Sequence, residues 1–262
     1  MFVDSHCHLD RLDLSVRNNE LQEVMDAAAA KNVSRMLCVA IELQQLPEML
    51  QTVKRFDNVF ASAGVHPLHV VDGMPEIADL LGYAADPRVV ALGETGLDYF
   101  YQQDSIELQQ ESFIRHLNAS ATSRLPVIVH TRDAREDTLS LLRQHADPEV
   151  GGVLHCFTEN WAMAQQAMDL NYMISFSGII TFRNAAELRE VVRQVPMENL
   201  LIETDSPYLA PVPYRGKPNE PQYVVEVAQC VADIKGLRIE EVAEITSHNF
   251  DRMFNKVTQT GS

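Results

Sequence analysis

The 262-residue sequence predicts an α/β protein of the (β/α)8 TIM-barrel class, on three observations. Short apolar runs rich in β-branched residues alternate eight times with helical stretches, the order that builds a parallel sheet covered by helices. The length is close to the roughly 250 residues typical of such a barrel, and a hydrophobic fraction of 46% supports a sizeable core. Ionisable residues fall at the C-terminal ends of the apolar runs, the face on which these barrels build their sites. Two doubly wound domains would share the alternation, but no Gly-x-Gly-x-x-Gly follows a strand and no linker breaks the rhythm. Residues 1–262 are therefore expected to form a single domain.

Phe2 to His8 reads as the first strand, where alternation puts Asp4, His6 and His8 on one face and Val3, Ser5 and Cys7 on the other. Glu20 to Lys31 is helical by propensity and by the spacing of Leu21, Val24, Met25 and Ala28. Arg35 to Ile41 is the second strand, followed by a helix from Leu46 to Phe56. Val59 to Val65 is the third, running into Gly64-Val65-His66-Pro67, with a helix from Pro75 to Ala85. The fourth, Val89 to Gly93, leads into Glu94-Thr95-Gly96-Leu97-Asp98, and Ser105 to Ser123 is the longest helix. Pro126 to His130 is the fifth strand, before a helix from Ala134 to Gln144. Gly152 to Phe157 is the sixth, followed by Trp161 to Leu170, whose Trp161, Met163 and Met168 fit an amphipathic helix and belong to the core or the shell around it. Tyr172 to Phe176 and a helix from Ala185 to Val195 make the seventh pair. Leu200 to Asp205 is the eighth strand, and after a proline-rich loop helices from Pro221 to Lys235 and Ile239 to Phe254 close the chain.

Composition narrows the function. Cys7, Cys38, Cys156 and Cys230 lie far apart without a Cys-x-x-Cys, which suggests neither a disulfide framework nor a zinc knuckle and fits a reducing cytosol. There is no charged n-region with an apolar h-region and no apolar run long enough to span a bilayer, so a soluble cytoplasmic protein without membrane attachment is expected. A formal charge of -16 argues against a broad basic surface for duplex nucleic acid, yet leaves room for a local positive site made by metal.

His6 and His8 end the first strand, His66 follows the third, Glu94 ends the fourth, His130 the fifth, His155 the sixth and Asp205 the eighth. Neutral imidazole and carboxylate are ligands for zinc and similar ions, and so many ionisable groups buried together without metal would carry a large desolvation cost. Glu203, two residues before Asp205, is expected to point the same way and to support the site rather than to ligate. His66 would reach substrate or merely cap its strand. Arg132, Arg183 and Arg215 follow strands five, seven and eight; guanidinium forks suit phosphate oxygens, although loop arginines also pair with nearby acids. Tyr99 or Phe100 would stack on a base or pack beneath its loop.

Ser-His-Cys-His-Leu-Asp at 5–10, Gly-Val-His-Pro at 64–67, Gly-Glu-Thr-Gly-Leu-Asp at 93–98, Pro-Val-Ile-Val-His-Thr-Arg at 126–132, His-Cys-Phe at 155–157 and Glu-Thr-Asp-Ser-Pro-Tyr-Leu at 203–209 resemble the signature of the TatD family of metal-dependent hydrolases. The resemblance runs through essentially the whole chain and is nearest to the YcfH-type branch. It implies a barrel of the amidohydrolase-like type holding two divalent ions, with His6, His8 and Asp205 on one, His130 and His155 on the other, Glu94 between them, and Asp205 taking the proton of the attacking water. In the best-known members it implies an ester-bond hydrolase that is a deoxyribonuclease; the activity expected here is a phosphodiesterase trimming single-stranded DNA or RNA ends in a 3′→5′ exonuclease manner. The same cage would activate water against a lactone, a cyclic amide or an aminoacyl ester. Residue types do not separate zinc, manganese, iron, cobalt and magnesium.

Overall fold

In the computed structural model, which describes residues 1–259, eight parallel strands pair in chain order inside a layer of helices. The strands are β1 (Phe2–Cys7), β2 (Val33–Cys38), β3 (Val59–Ala63), β4 (Val89–Asp98), β5 (Val127–Arg132), β6 (Gly152–Leu154), β7 (Tyr172–Phe176) and β8 (Leu200–Ile202). Between them run α1 (Leu21–Ala30), α2 (Leu46–Val53), α3 (Ile77–Ala84), α4 (Ile106–Ser123), α5 (Arg135–His145), α6 (Trp161–Met168) and α7 (Ala186–Gln194), and α8 (Val224–Lys235), α9 (Ile239–Met253) and α10 (Lys256–Gln259) follow β8. The (β/α)8 barrel read from the sequence is the fold; the single-domain expectation for residues 1–262 also takes in residues 260–262, which lie outside the described residues.

Two apolar cores follow from the strand period of two. Val3, Leu37, Val39, Phe60, Val90, Ile128, Val153, Met173 and Leu201 fill the barrel, while their neighbours along each strand meet the helices. The lower end is closed by the last two helices, whose Phe250, Met253, Phe254 and Val257 join the inner core. Burying Phe250 and Phe254 contributes roughly 1.5–3 kcal/mol each. Lys256 fastens this lid with Nζ donating to the carbonyls of Ala84, Asp86 and Val89 at 2.7, 2.7 and 2.8 Å. Beside this lid a cavity of about 250 Å³ remains, next to Met173 and Met253, and a larger one opens at the C-terminal ends of the strands.

Strand bounds differ from the expectation where the site lies. The fourth strand does not stop at Gly93: after a register shift it pairs with β5 from Thr95↔Val129 to Asp98↔Arg132, so Glu94 sits within a strand rather than at its end. That course needs glycine at 96, where φ is +131° and a Cβ would fall 2.0 Å from the His130 carbonyl oxygen. The sixth and eighth strands are shorter than expected, ending at Leu154 and Ile202, because Cys156 (φ 43°) and Asp205 (φ 56°) turn the chain through left-handed conformations. The seam between β1 and β8 has one isolated bridge, Cys7↔Ser206, and is held further by side-chain hydrogen bonds, among them Ser5 Oγ to Ile202 O at 3.0 Å. Asp205 N donates to His6 O at 2.9 Å, His8 N to Ser206 O at 2.8 Å and Thr204 N to the Asp4 carboxylate at 2.8 Å. No helix among the described residues is long and apolar enough to cross a membrane.

Candidate metal centre

A cavity of about 750 Å³ opens at the C-terminal ends of the strands, and His8, His66, Glu94, His130, His155 and Asp205 line it. His6 lies just beneath, fully buried. The residues singled out along the sequence therefore converge from six segments of the barrel, as its topology requires.

Their donor atoms face one another at ligand spacing. His6 Nε2 and His8 Nε2 are 3.3 Å apart, and Asp205 Oδ1 is 3.7 Å from the first and 3.4 Å from the second. Two ligands each about 2.0–2.1 Å from a tetrahedral ion lie roughly 3.3–3.4 Å from one another, so this triad suits a divalent ion. Glu94 reaches both ends of the cluster: Oε2 is 3.3 Å from His6 Nε2, and Oε1 is 3.2 Å from His130 Nδ1 and 2.7 Å from His155 Nε2. The unsatisfied atoms agree. His155 Nε2, in spite of its closeness to Glu94, is not aligned for a hydrogen bond, and His155 Nδ1 and His6 Nδ1 are also buried without a partner. Of these, His155 Nε2 faces the Glu94 carboxylate and is what a cation there would satisfy, while each Nδ1 lies on the other side of its ring.

Charge follows the same plan. Burial works against ionising Glu94, but the His155 and His66 imidazoles beside it hold it well below the ordinary carboxylate range. Asp205 is lowered too, since the hydrogen bond to His8 and the His6 ring outweigh burial. Burial and the neighbouring His155 lower His6, keeping it neutral as a ligand must be. For His155 burial is overridden by Glu94 and Glu203, which raise its pKa, and an ion would compete with that proton.

Several residues orient the rings. His8 Nδ1 is 2.8 Å from the Val39 carbonyl, which fixes the proton there and leaves the Nε2 lone pair facing the centre. Glu203 accepts from Cys156 N at 2.7 Å and Ser175 Oγ at 2.5 Å and lies 3.4 Å from His155 Nδ1; with His6 and His155 it also forms a buried group of three donors close enough together to hold an ion. Asp4 does not join His6 and His8; Thr204 engages it through N and Oγ1. Sequence reasoning missed Asp98. Its Oδ2 is 3.1 Å from His130 Nε2, which points Nδ1 inward, and its Oδ1 accepts from Phe100 N and Tyr101 N at 3.0 and 2.8 Å. The signal was present, since Glu94, Gly96 and Asp98 share one face of an extended chain. Also unforeseen is Asn219, whose side chain donates to Thr204 O and Tyr208 O and so holds the loop bearing Asp205.

The residues expected to meet substrate separate. His66 accepts from Leu68 N at its Nδ1, 3.1 Å away, so the proton of the neutral ring is on Nε2, 3.4 Å from Glu94 Oε1. Burial pushes its pKa down to about 4 against the pull of Glu94. That leaves a neutral N–H at the mouth, suited to donate to an oxygen; the ring also forms, with Glu94 and His130, a group of three donors close enough together to hold an ion. Arg132 lines the cavity. Arg183 and Arg215 are not among its lining residues, and Arg215 stacks on Phe182 with Cζ 3.8 Å from the ring centre. Tyr99 is packed, its hydroxyl 2.8 Å from Asp137 and from Gln110, whereas Phe100 is exposed.

Comparison with known proteins bears on the chain as a whole. Residues 3–255 match the family described as TatD related DNase. The chain is 51% identical over 253 residues to the uncharacterized metal-dependent hydrolase YcfH of Escherichia coli (strain K12), covering 97% of this chain and 95% of that one. It is 37% identical over 255 residues to the uncharacterized metal-dependent hydrolase YabD of Bacillus subtilis (strain 168), covering 97% and 99%. Among solved structures, that of YJJV, a TatD homolog from Escherichia coli K12, superposes with a TM-score of 0.89 at 28% identity over 97% of this chain and 98% of the other.

Proposed function

We propose, since this chain belongs to the TatD family of metal-dependent hydrolases, that it is a phosphodiesterase trimming single-stranded DNA or RNA ends in a 3′→5′ exonuclease manner. The observation that carries the reading is the reach of Glu94, one carboxylate within 3.3 Å of His6 on one side and of His130 and His155 on the other. We assign His6, His8 and Asp205 to one divalent ion, His130 and His155 to a second, and Glu94 to both. Two such ions, when bound, activate water and stabilise both the attacking and the leaving oxygens of an in-line displacement at phosphorus.

The remaining work falls to the chain's own groups. Asp205 Oδ1 is turned to His6 and His8, while Oδ2 accepts no hydrogen bond among the described residues and is the oxygen we assign to take the proton of the attacking water. His66 presents Nε2–H to a non-bridging phosphoryl oxygen, a neutral donor that does not repel the ions. Arg132 supplies the positive charge nearest the mouth, and Arg183 and Arg215 on neighbouring loops are candidates for a more distant phosphate. Glu203 and Asp98 keep the His155 and His130 rings in place. A cytoplasmic setting belongs to the same reading and agrees with four free cysteines.

The test is a panel of single-stranded oligonucleotides labelled at the 5′ or the 3′ end, a circular single strand and a blunt duplex, set against lactones and amides, with manganese or magnesium added and removed. Metal-dependent shortening of linear strands from one end is expected. Rapid cutting of the circle excludes an exonuclease, and hydrolysis of a lactone or amide in a Glu94-dependent way with no oligonucleotide cut moves the function to that ester or amide class.

A further inference from the structure

Beside the metal centre, at the turn that follows β4, the two exposed rings of Phe100 and Tyr101 flank a guanidinium. Phe100 is 53% and Tyr101 61% exposed, unusual for large apolar rings, and they meet edge to face with centres 4.8 Å apart. Arg132 Cζ lies 4.1 Å from the first ring centre and 4.5 Å from the second. Most arginines of this acidic chain are paired with a carboxylate, but Arg132 forms no ion pair among the described residues. Its charge is held by aromatic faces and left available at the cavity wall, two residues beyond His130. The arrangement is built rather than incidental: Asp98 receives the backbone N–H of both Phe100 and Tyr101 while its other oxygen meets the His130 ring. One carboxylate thus sets the aromatic turn and the proposed ligand in a fixed relation.

We propose that Phe100, Tyr101 and Arg132 form a stacking platform for the base of the nucleotide adjoining the reacting phosphate, an inference that rests on the phosphodiesterase reading. Every base has a π-face, so stacking accepts any sequence, and the guanidinium edge next to it suits the phosphate of the same nucleotide. A duplex end keeps its bases stacked on one another. The platform therefore selects unpaired ends, and it names the chemical feature recognised as a nucleobase beyond the phosphodiester itself.

The experiment compares a short single strand with the same strand carrying an abasic terminal nucleotide, by kcat/KM with manganese, and follows the fluorescence of 2-aminopurine placed at that terminus. With the wild-type protein the base-bearing strand is expected to be favoured about 5- to 150-fold, the range of one base–aromatic stack, and 2-aminopurine to be quenched on binding. In the Phe100→Ala/Tyr101→Ala variant the ratio between the two strands should fall toward one and the quenching should vanish. Equal hydrolysis of both strands by the wild type without quenching overturns the platform, and this comparison needs no variant to fold. Platform-dependent quenching with neither strand hydrolysed overturns the phosphodiesterase reading while keeping the base site. Absence of both hydrolysis and quenching overturns the two together.

Discussion

Glu94 makes the sharpest demand on a single side chain, because both proposed ions depend on it. Glu94→Ala is expected to lower the content of both, whereas His155→Ala, which removes a contact on one side only, should mainly empty one. Elemental analysis of the two purified variants checks this, and an unchanged content in Glu94→Ala would remove the bridging role. Asp205 is a different case, since its asparagine variant keeps the volume but loses the charge and the proton acceptor. Hydrolysis by Asp205→Asn should fall at least about 10²-fold with the barrel intact by circular dichroism. Turnover near that of the wild type at normal metal content would exclude Asp205 as the base. That these histidines and carboxylates meet at one cavity was legible in the sequence because each follows an apolar run whose end faces the mouth of the barrel. The partners that orient them were not, because the Val39 carbonyl carries no residue-type signal and Asp98 declares its role only once β4 has paired with β5.

At the scale of elements, one buried imidazole ties three segments that flank the site. His116 of α4 has Nδ1 2.7 Å from Ser112 O and 3.1 Å from Thr95 Oγ1, and its Nε2 accepts from Val65 N at 3.1 Å, so it braces the residues next to His66 and Glu94. Burial pushes its pKa down to about 4 from the ordinary 6.5, which makes the folded state prefer the neutral ring. Between those values the unfolded chain binds more protons, so the contribution is complete above pH 6.5 and is lost as pH falls toward 4. About 3 kcal/mol is at stake. Urea denaturation at several pH values should show this loss in the wild type and a shallower slope in His116→Gln; identical slopes would mean that His116 titrates normally in the folded protein. The strand and helix rhythm was readable because periodicities of two and 3.6 are written in the apolar residues. Where strands end was less so: the left-handed turns at Cys156 and Asp205 use residue types that do not advertise them, and the onward course of β4 depends on its neighbour β5.

Considered whole, the molecule is a strongly acidic body with a hydrolytic mouth. At a formal charge of -16 it repels a polyanion at long range, and contact with about two or three phosphates implies a salt dependence of log affinity near -1.4 to -2 for a single strand. Binding measured from low to moderate salt checks this, and a slope several times steeper would point to an extended basic track instead. The first and last strands meet at one isolated bridge, supplemented by the Asp4–Thr204 and Ser5–Ile202 hydrogen bonds, and the proposed ion held by His6, His8 and Asp205 straddles that line. Such an ion is a clasp on a hoop as much as a reagent. Stripping metal should speed hydrogen–deuterium exchange at the amides of Thr204, Asp205 and His8 far more than at those of β5 to β7, and equal protection with and without metal would show that the hoop stays shut unaided. Loss of the ion would then slacken the joint at which the chain closes on itself, so that the amides next to Asp205 open before the rest of the barrel does.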